Sequence, residues 1–229
     1  MKRLISILAA LCILLTPFGA LAGTTYGLLF TSGGAHEVEV GDTLTGATSA
    51  ATAVVSSITL SSGSWAGTDA AGQFILTGQS GTFQSENLDE GANSNVCTIA
   101  GDSSSAAEVW TSPSNGATLI TWTIVAESNG GNIHPITTGS DIDSFIFKVK
   151  SNPGATAPTA AWDYTLVSED GEDVLGGEGA DRSATVTEPI RAKTDTSYGE
   201  VYVDGTGTLT ITNNSVNSAT IVIKAYVRR

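Results

Sequence analysis

The chain has 229 residues, and 23 Asp and Glu against 10 Lys and Arg give a formal net charge of −13 at pH 7. From Gly23 to Phe147 there is no Lys or Arg, so that half repels phosphate backbones and anionic lipid, which excludes nucleic acid and membrane surfaces as its partners. Thr, Val, Ile and Ser abound beside 26 glycines, and no helical-period apolar stripe runs beyond a turn or two past the N-terminus, so helical and α/β architectures are excluded.

The first 22 residues read as a leader peptide. Lys2 and Arg3 form a basic start, residues 4–15 an apolar run and Pro17-Phe18-Gly19 a break. Ala20-Leu21-Ala22 is then the small-x-small pattern that precedes cleavage at Gly23. The apolar run is short for a membrane span, and an uncleaved anchor is the alternative. Cys12 lies inside that run with no small residue immediately before it, which speaks against a lipoprotein anchor. Cleavage removes Cys12 and leaves Cys97 alone, so the mature chain forms no internal disulfide. In the alternation Asn95-Val96-Cys97-Thr98-Ile99 the thiol reads as buried and inert.

Residues 23–104 read as a small β-barrel-like domain with strands near 25–30, 36–40, 52–60 and 73–77. A faint internal repeat runs through it. Gly41-Asp42-Thr43-Leu44-Thr45-Gly46-Ala47 resembles Ser85-Glu86-Asn87-Leu88-Asp89-Glu90-Gly91-Ala92, with an acid two residues before a leucine and then Gly-Ala. Two copies make no solenoid, but they suggest a barrel whose halves use the same corner. Between two of the strands lies the loop Ser61-Ser62-Gly63-Ser64-Trp65-Ala66-Gly67-Thr68-Asp69. Trp65 and Asp69 are its candidate surface contacts; for Trp65, packing down to cap the barrel is the default reading and an exposed binding tip the alternative.

Residues 105–116, rich in Ser, Ala, Gly and Asn, read as a linker, with Trp110 as a plug between domains. Residues 117–229 then read as an antiparallel, jelly-roll-like β-sandwich. Ile120, Trp122 and Ile124 share one strand face, and Ile221, Ile223, Ala225 and Val227 share another. Phe145, Phe147 and Val149 are expected on a core face with Lys148 and Lys150 opposite. Trp162, Tyr164 and Leu166 alternate into the turn at Asp170-Gly171, after which Val174-Leu175 is expected to return as the second arm of a hairpin. Short strands are expected at 184–186, 201–203 and 209–211.

No catalytic, cofactor or metal residues are assigned, and the chain is read as a non-enzyme. His36 lies in an acidic alternation and His134 in a Gly/Asn-rich loop, and neither stands near a Gly-x-Ser-x-Gly elbow: Gly63-Ser64-Trp65-Ala66-Gly67 puts its serine one position early. One mature cysteine and two distant histidines do not make a zinc site. Calcium needs only clustered oxygens and stays open at Asp141-Ile142-Asp143 and at the turn Glu169-Asp170-Gly171-Glu172-Asp173. Neither stretch has the Asp-x-Asp-x-Asp-Gly spacing, and an exposed polar turn is the simpler reading.

Two groups of segments resemble known proteins. Gly46-Ala47-Thr48-Ser49-Ala50-Ala51-Thr52-Ala53-Val54-Val55, Ser62-Gly63-Ser64-Trp65-Ala66-Gly67-Thr68-Asp69-Ala70-Ala71-Gly72 and Gly81-Thr82-Phe83-Gln84-Ser85-Glu86-Asn87-Leu88 together resemble a module of tailed-phage virion proteins. Residues 162–177, with Asp181-Arg182-Ser183-Ala184-Thr185 after them, resemble a second β-rich segment of phage and prophage structural proteins. The resemblance implies a non-enzymatic accessory part of a capsid or tail, with no active-site residues to carry over. Virion parts assemble in the cytoplasm, so the leader sets this chain apart and points to the same modules used outside the membrane. The expectation is thus an exported structural or attachment protein, periplasmic or extracellular, or virion-borne if phage-encoded. Its expected partners are copies of itself, other structural proteins or a cell-surface glycan, with neither nucleic acid nor membrane among them. The alternative is a secreted carbohydrate-binding module, calcium-assisted or not.

Overall fold

The computed structural model describes residues 21–112, 116–194 and 197–228, and among these there is no helix. The leader reading lies outside the described residues except for the backbone of Leu21 and Ala22. The chain is all-β, with one large antiparallel sheet and a second small one.

Six strands build the first half: β1 (Leu21–Gly33), β2 (Thr43–Gly46), β3 (Thr52–Ser62), β4 (Ala70–Ser80), β5 (Glu86–Glu90) and β6 (Asn93–Ile99). They pair in the ring β1-β4-β3-β2-β5-β6, which closes through Phe30↔Ile99 and Thr31↔Thr98. Closure removes the exposed edges that a β-rich, Gly-rich chain would otherwise present to other chains. Alternation supplies the core: Leu28, Phe30, Leu44, Phe74, Leu76, Leu88 and Ile99 point inward and are fully buried. Each Leu, Ile or Phe removed from water in this way contributes about 1.5–3 kcal/mol. The two copies of the repeat lie side by side, with Leu44 opposite Glu90 and Gly46 opposite Leu88. No strand forms at 36–40; that stretch is a loop that buries only Val38.

The second half contains β7 (Ser104–Thr111), β8 (Ala117–Val125), β9 (Ile136–Thr137), β10 (Ser144–Pro153), β11 (Asp163–Ser168), β12 (Glu188–Arg191), β13 (Val201–Val203), β14 (Gly207–Thr212) and β15 (Thr220–Arg228). One sandwich sheet runs β7-β8-β15-β10 and ends on β12 and β13, both paired to β10. The facing sheet is β11-β14-β9. Trp122, Trp162, Tyr164, Ile120, Ile146 and Ile223 fill the space between them. Glu108 lies in the same core; its carboxylate accepts Nε1–H of Trp110 at 2.5 Å and of Trp122 at 2.8 Å, which satisfies a group too costly to bury alone.

Of the stretch read as a linker, residues 105–111 form a strand instead, while 113–115 lie outside the described residues. β7 occupies Ser104–Thr111 and pairs with β8 from Ser105↔Val125 to Thr111↔Leu119 and with β1 through Thr24↔Ala107 to Gly27↔Ser104. Its small residues alternate between a buried and a half-buried face, and Trp110 packs on the sandwich core. β1 is the joint: one of its edges gives residues 24–27 to β7 and Phe30–Thr31 to β6, while the other pairs with β4. One continuous sheet therefore belongs to both cores. Tyr26, Leu28 and Phe30 face the barrel, whereas Gly27 faces the other way, where a Cβ would stand 2.4 Å from that of His134.

Three other expectations change. A register shift between Ile146 and Lys148 turns Phe145 outward, 42% exposed, and puts Ile146 and Val149 into the core. Val174 and Leu175 are fully buried but lie in consecutive turns rather than in a hairpin arm; the ladder partner of β11 is β14. The edge strand falls at Glu188–Arg191 rather than 184–186. The turn itself is as expected, with Gly171 at φ 93°.

Candidate functional site

Trp65 is 6% exposed and stacks on Phe30 with centroids 5.3 Å apart, and Phe30 in turn stacks on Phe74 at 4.1 Å. It closes one end of the barrel, so the exposed binding tip does not occur at this residue. Asp69 stays on the surface and shapes the loop, accepting the Ser64 amide at 2.9 Å. The loop therefore brings no tryptophan platform to its acid.

The histidines are far apart in use. His36 is exposed and pairs with Glu90 at 2.9 Å. His134 is buried, with Nε2 2.6 Å from Glu127, while its backbone N–H donates to the Ser104 hydroxyl at 3.0 Å. Ser104 thus faces an amide rather than the ring, so nucleophile and base are not aligned.

The acidic stretches are occupied with their own loops. Asp173 accepts the amides of Leu175 at 3.0 Å and Gly177 at 2.8 Å, and Asp170 accepts the Ser168 hydroxyl. Asp143 accepts the Gly205 amide at 3.0 Å. Among the described residues no group of three or more His, Cys, Asp or Glu could hold a metal ion.

What the fold does assemble is a basic, aromatic sheet face. Antiparallel register sets Arg191 opposite Lys148 and Lys148 opposite Tyr226, and the next row sets Pro189 opposite Lys150 and Lys150 opposite Lys224. Directly opposed residues share a face, so Lys148, Lys150, Arg191 and Lys224 stand together. Lys148 and Lys150 flank the Tyr226 ring, with Nζ 5.5 and 5.8 Å from its centroid, and Phe147 lies 6.1 Å from the same ring. The rows continue over β8 and β7 through Leu119, Thr121 and Val109, all half-buried. None of the four cations has an ion-pair partner among the described residues, whereas Arg182, Lys193 and Arg228 each have one.

Beside this face, Phe147, Lys148, Pro189, Ile190, Arg191 and Tyr198 line a groove of about 600 Å³. Its wall is pinned by Glu178, which receives Lys193 Nζ at 2.8 Å and the Tyr198 hydroxyl at 2.9 Å. Those two hydrogen bonds and the Lys193 charge hold the Glu178 carboxyl below its usual range, and the bond to Glu178 pushes the Tyr198 hydroxyl up. Tyr198 itself is 59% exposed.

Reading the chain strand by strand missed this site because its residues come from three separate strands. One signal was available: eight of the ten basic residues follow Phe147. No helix of the described residues is long and apolar enough to cross a membrane. Compared with known proteins, the chain matches no family model, no curated protein and no solved structure at a significant level.

Proposed function

We propose that this chain is a non-enzymatic, exported structural or attachment protein of the phage-accessory type, working through the outer face of its larger sandwich sheet. The observation that carries the reading is the set Lys148, Lys150, Arg191 and Lys224 gathered around Tyr226 on one sheet face, with no ion-pair partner among the described residues. Four like charges on one face repel one another, and an acidic partner relieves that repulsion while burying the rings. The closed barrel and the internally bonded loops suit a rigid part that presents its surfaces without rearrangement. Electron microscopy and sizing of the purified protein test this: incorporation into particles, filaments or larger assemblies is expected, and a strict monomer that adheres to nothing overturns it.

A second reading has its own observation. The groove beside Tyr198 has the volume of a small-ligand site and combines two aromatic rings with Arg191 and Lys148, which suits an acidic sugar. A glycan array with and without calcium checks it; silence in both conditions ends that reading.

A further inference from the structure

We infer that the partner of this face is the acidic barrel of a second copy, so that the chain associates head to tail. The inference rests on the structural reading above and names its partner.

The face has the size for it. Five strands spaced at about 4.8 Å and about eight residues long give a surface of roughly 24 by 26 Å. Covering it buries on the order of 1,200 Å² over both partners, the lower end of specific interfaces. It is basic along β12, β10 and β15 and carries Leu119, Thr121 and Val109 along β8 and β7, and among the described residues no sheet is paired over it as β11-β14-β9 covers the opposite side.

The complement lies in the same chain. Residues 23–147 contain no Lys or Arg. At one rim of the barrel, the loop leading into β2 exposes Glu37, Glu39 and Val40, the last 65% exposed, with Asp42 beside them. Leu44 pairs with Glu90, which brings to that rim a Glu90 already paired with His36 at 2.9 Å and an Asp89 that accepts the Asn95 amide at 2.8 Å, so Glu37 and Glu39 carry its available charge. An exposed Val40 with Glu37, Glu39 and Asp42 on the same loop complements a face that carries aliphatic side chains and four cations. Because the plug and the socket are different surfaces, their contact is heterologous and leaves one of each free, which propagates into rings or open chains.

Sedimentation velocity over a concentration series in low salt tests the idea. Three proteins are compared: wild type, Lys148→Glu/Lys224→Glu and Glu37→Lys/Glu39→Lys. The wild type is expected to self-associate, with at least about tenfold weaker association at high salt. Each variant alone is expected to stay monomeric, with an unchanged thermal melt showing that it is folded. Mixed one to one, the variants are expected to reassociate, since the acidic rim of one meets the basic face of the other and the two reversed surfaces complement each other in turn. Wild type that stays monomeric at about 100 µM, or variants that associate as the wild type does, overturns the inference. A monomeric wild type that still binds an acidic glycan or a cell surface also overturns it, while leaving attachment as the function.

Discussion

Glu86 is the side chain whose loss is expected to cost the barrel most for its size. It sits at the start of β5 and reaches across to the corner after β2, where it accepts the amides of Thr48 at 2.7 Å and Ser49 at 2.8 Å, and the Ser49 hydroxyl at 2.5 Å. A fourth bond comes from the Gln84 amide at 3.0 Å. A hydrogen bond to a charged group is worth about 1.5–3 kcal/mol, but Thr48 and Gln84 are exposed, so water takes over there when the carboxylate is removed. Ser49 is half-buried and bears the larger loss, which sets the expected destabilisation of Glu86→Ala at about 2–4 kcal/mol. Glu86→Gln keeps one acceptor oxygen but turns an NH₂ toward amide donors, and about 1–2 kcal/mol is expected. Burial raises the Glu86 pKa, yet the bonds from Ser49, Thr48 and Gln84 outweigh it, and the folded value lies below the usual carboxylate range. Its stabilisation is therefore complete above the unfolded pKa, about 4.3, and is lost as pH falls through the lower folded value. Urea unfolding followed by tryptophan fluorescence, at neutral pH and in steps down to about pH 3, measures both effects. A gap between wild type and Glu86→Ala under about 0.5 kcal/mol at neutral pH refutes the reasoning, as does a gap that does not shrink on acidification.

Three further outcomes are expected. Burial pushes the Cys97 thiol up to about 12, so a thiol reagent at mildly alkaline pH should label unfolded protein and spare native protein; rapid stoichiometric labelling of the native state contradicts the assignment. Trp65→Ala removes the lid stacked on Phe30 and should destabilise the barrel by about 3–5 kcal/mol, seen as a lowered thermal midpoint. Gly179→Ala would place a Cβ 1.8 Å from the Tyr164 carbonyl oxygen, while the Tyr164 amide donates to Gly179. That substitution should strip residues 172–182 from the free edge of β11 and raise aggregation in light scattering; a soluble, fully stable variant would show that the edge needs no such cover.

The cores were legible because alternation acts within one strand. Ile120, Trp122 and Ile124, Trp162, Tyr164 and Leu166, and Ile221 to Val227 are buried as their period of two demands, since successive side chains of a strand must point to opposite faces. Composition was enough for the all-β class, and the paired repeat pointed to a barrel with matching corners. Pairing between strands is not written in local pattern. Whether β1 belongs to one core or two, whether 104–111 is spacer or strand, and whether Phe145 faces in or out depend on registers and on one bulge, all set by contacts distant in sequence. The candidate surface follows the same rule. Lys148 and Lys150 read locally as the solvated side of one strand, and only the alignment of β12, β10 and β15 sets them beside Arg191, Lys224 and Tyr226. Charge composition determined that every Lys and Arg beyond the leader follows Phe147; tertiary pairing decided that four of these cations converge on one face, because strand register alone places residues of separate strands side by side.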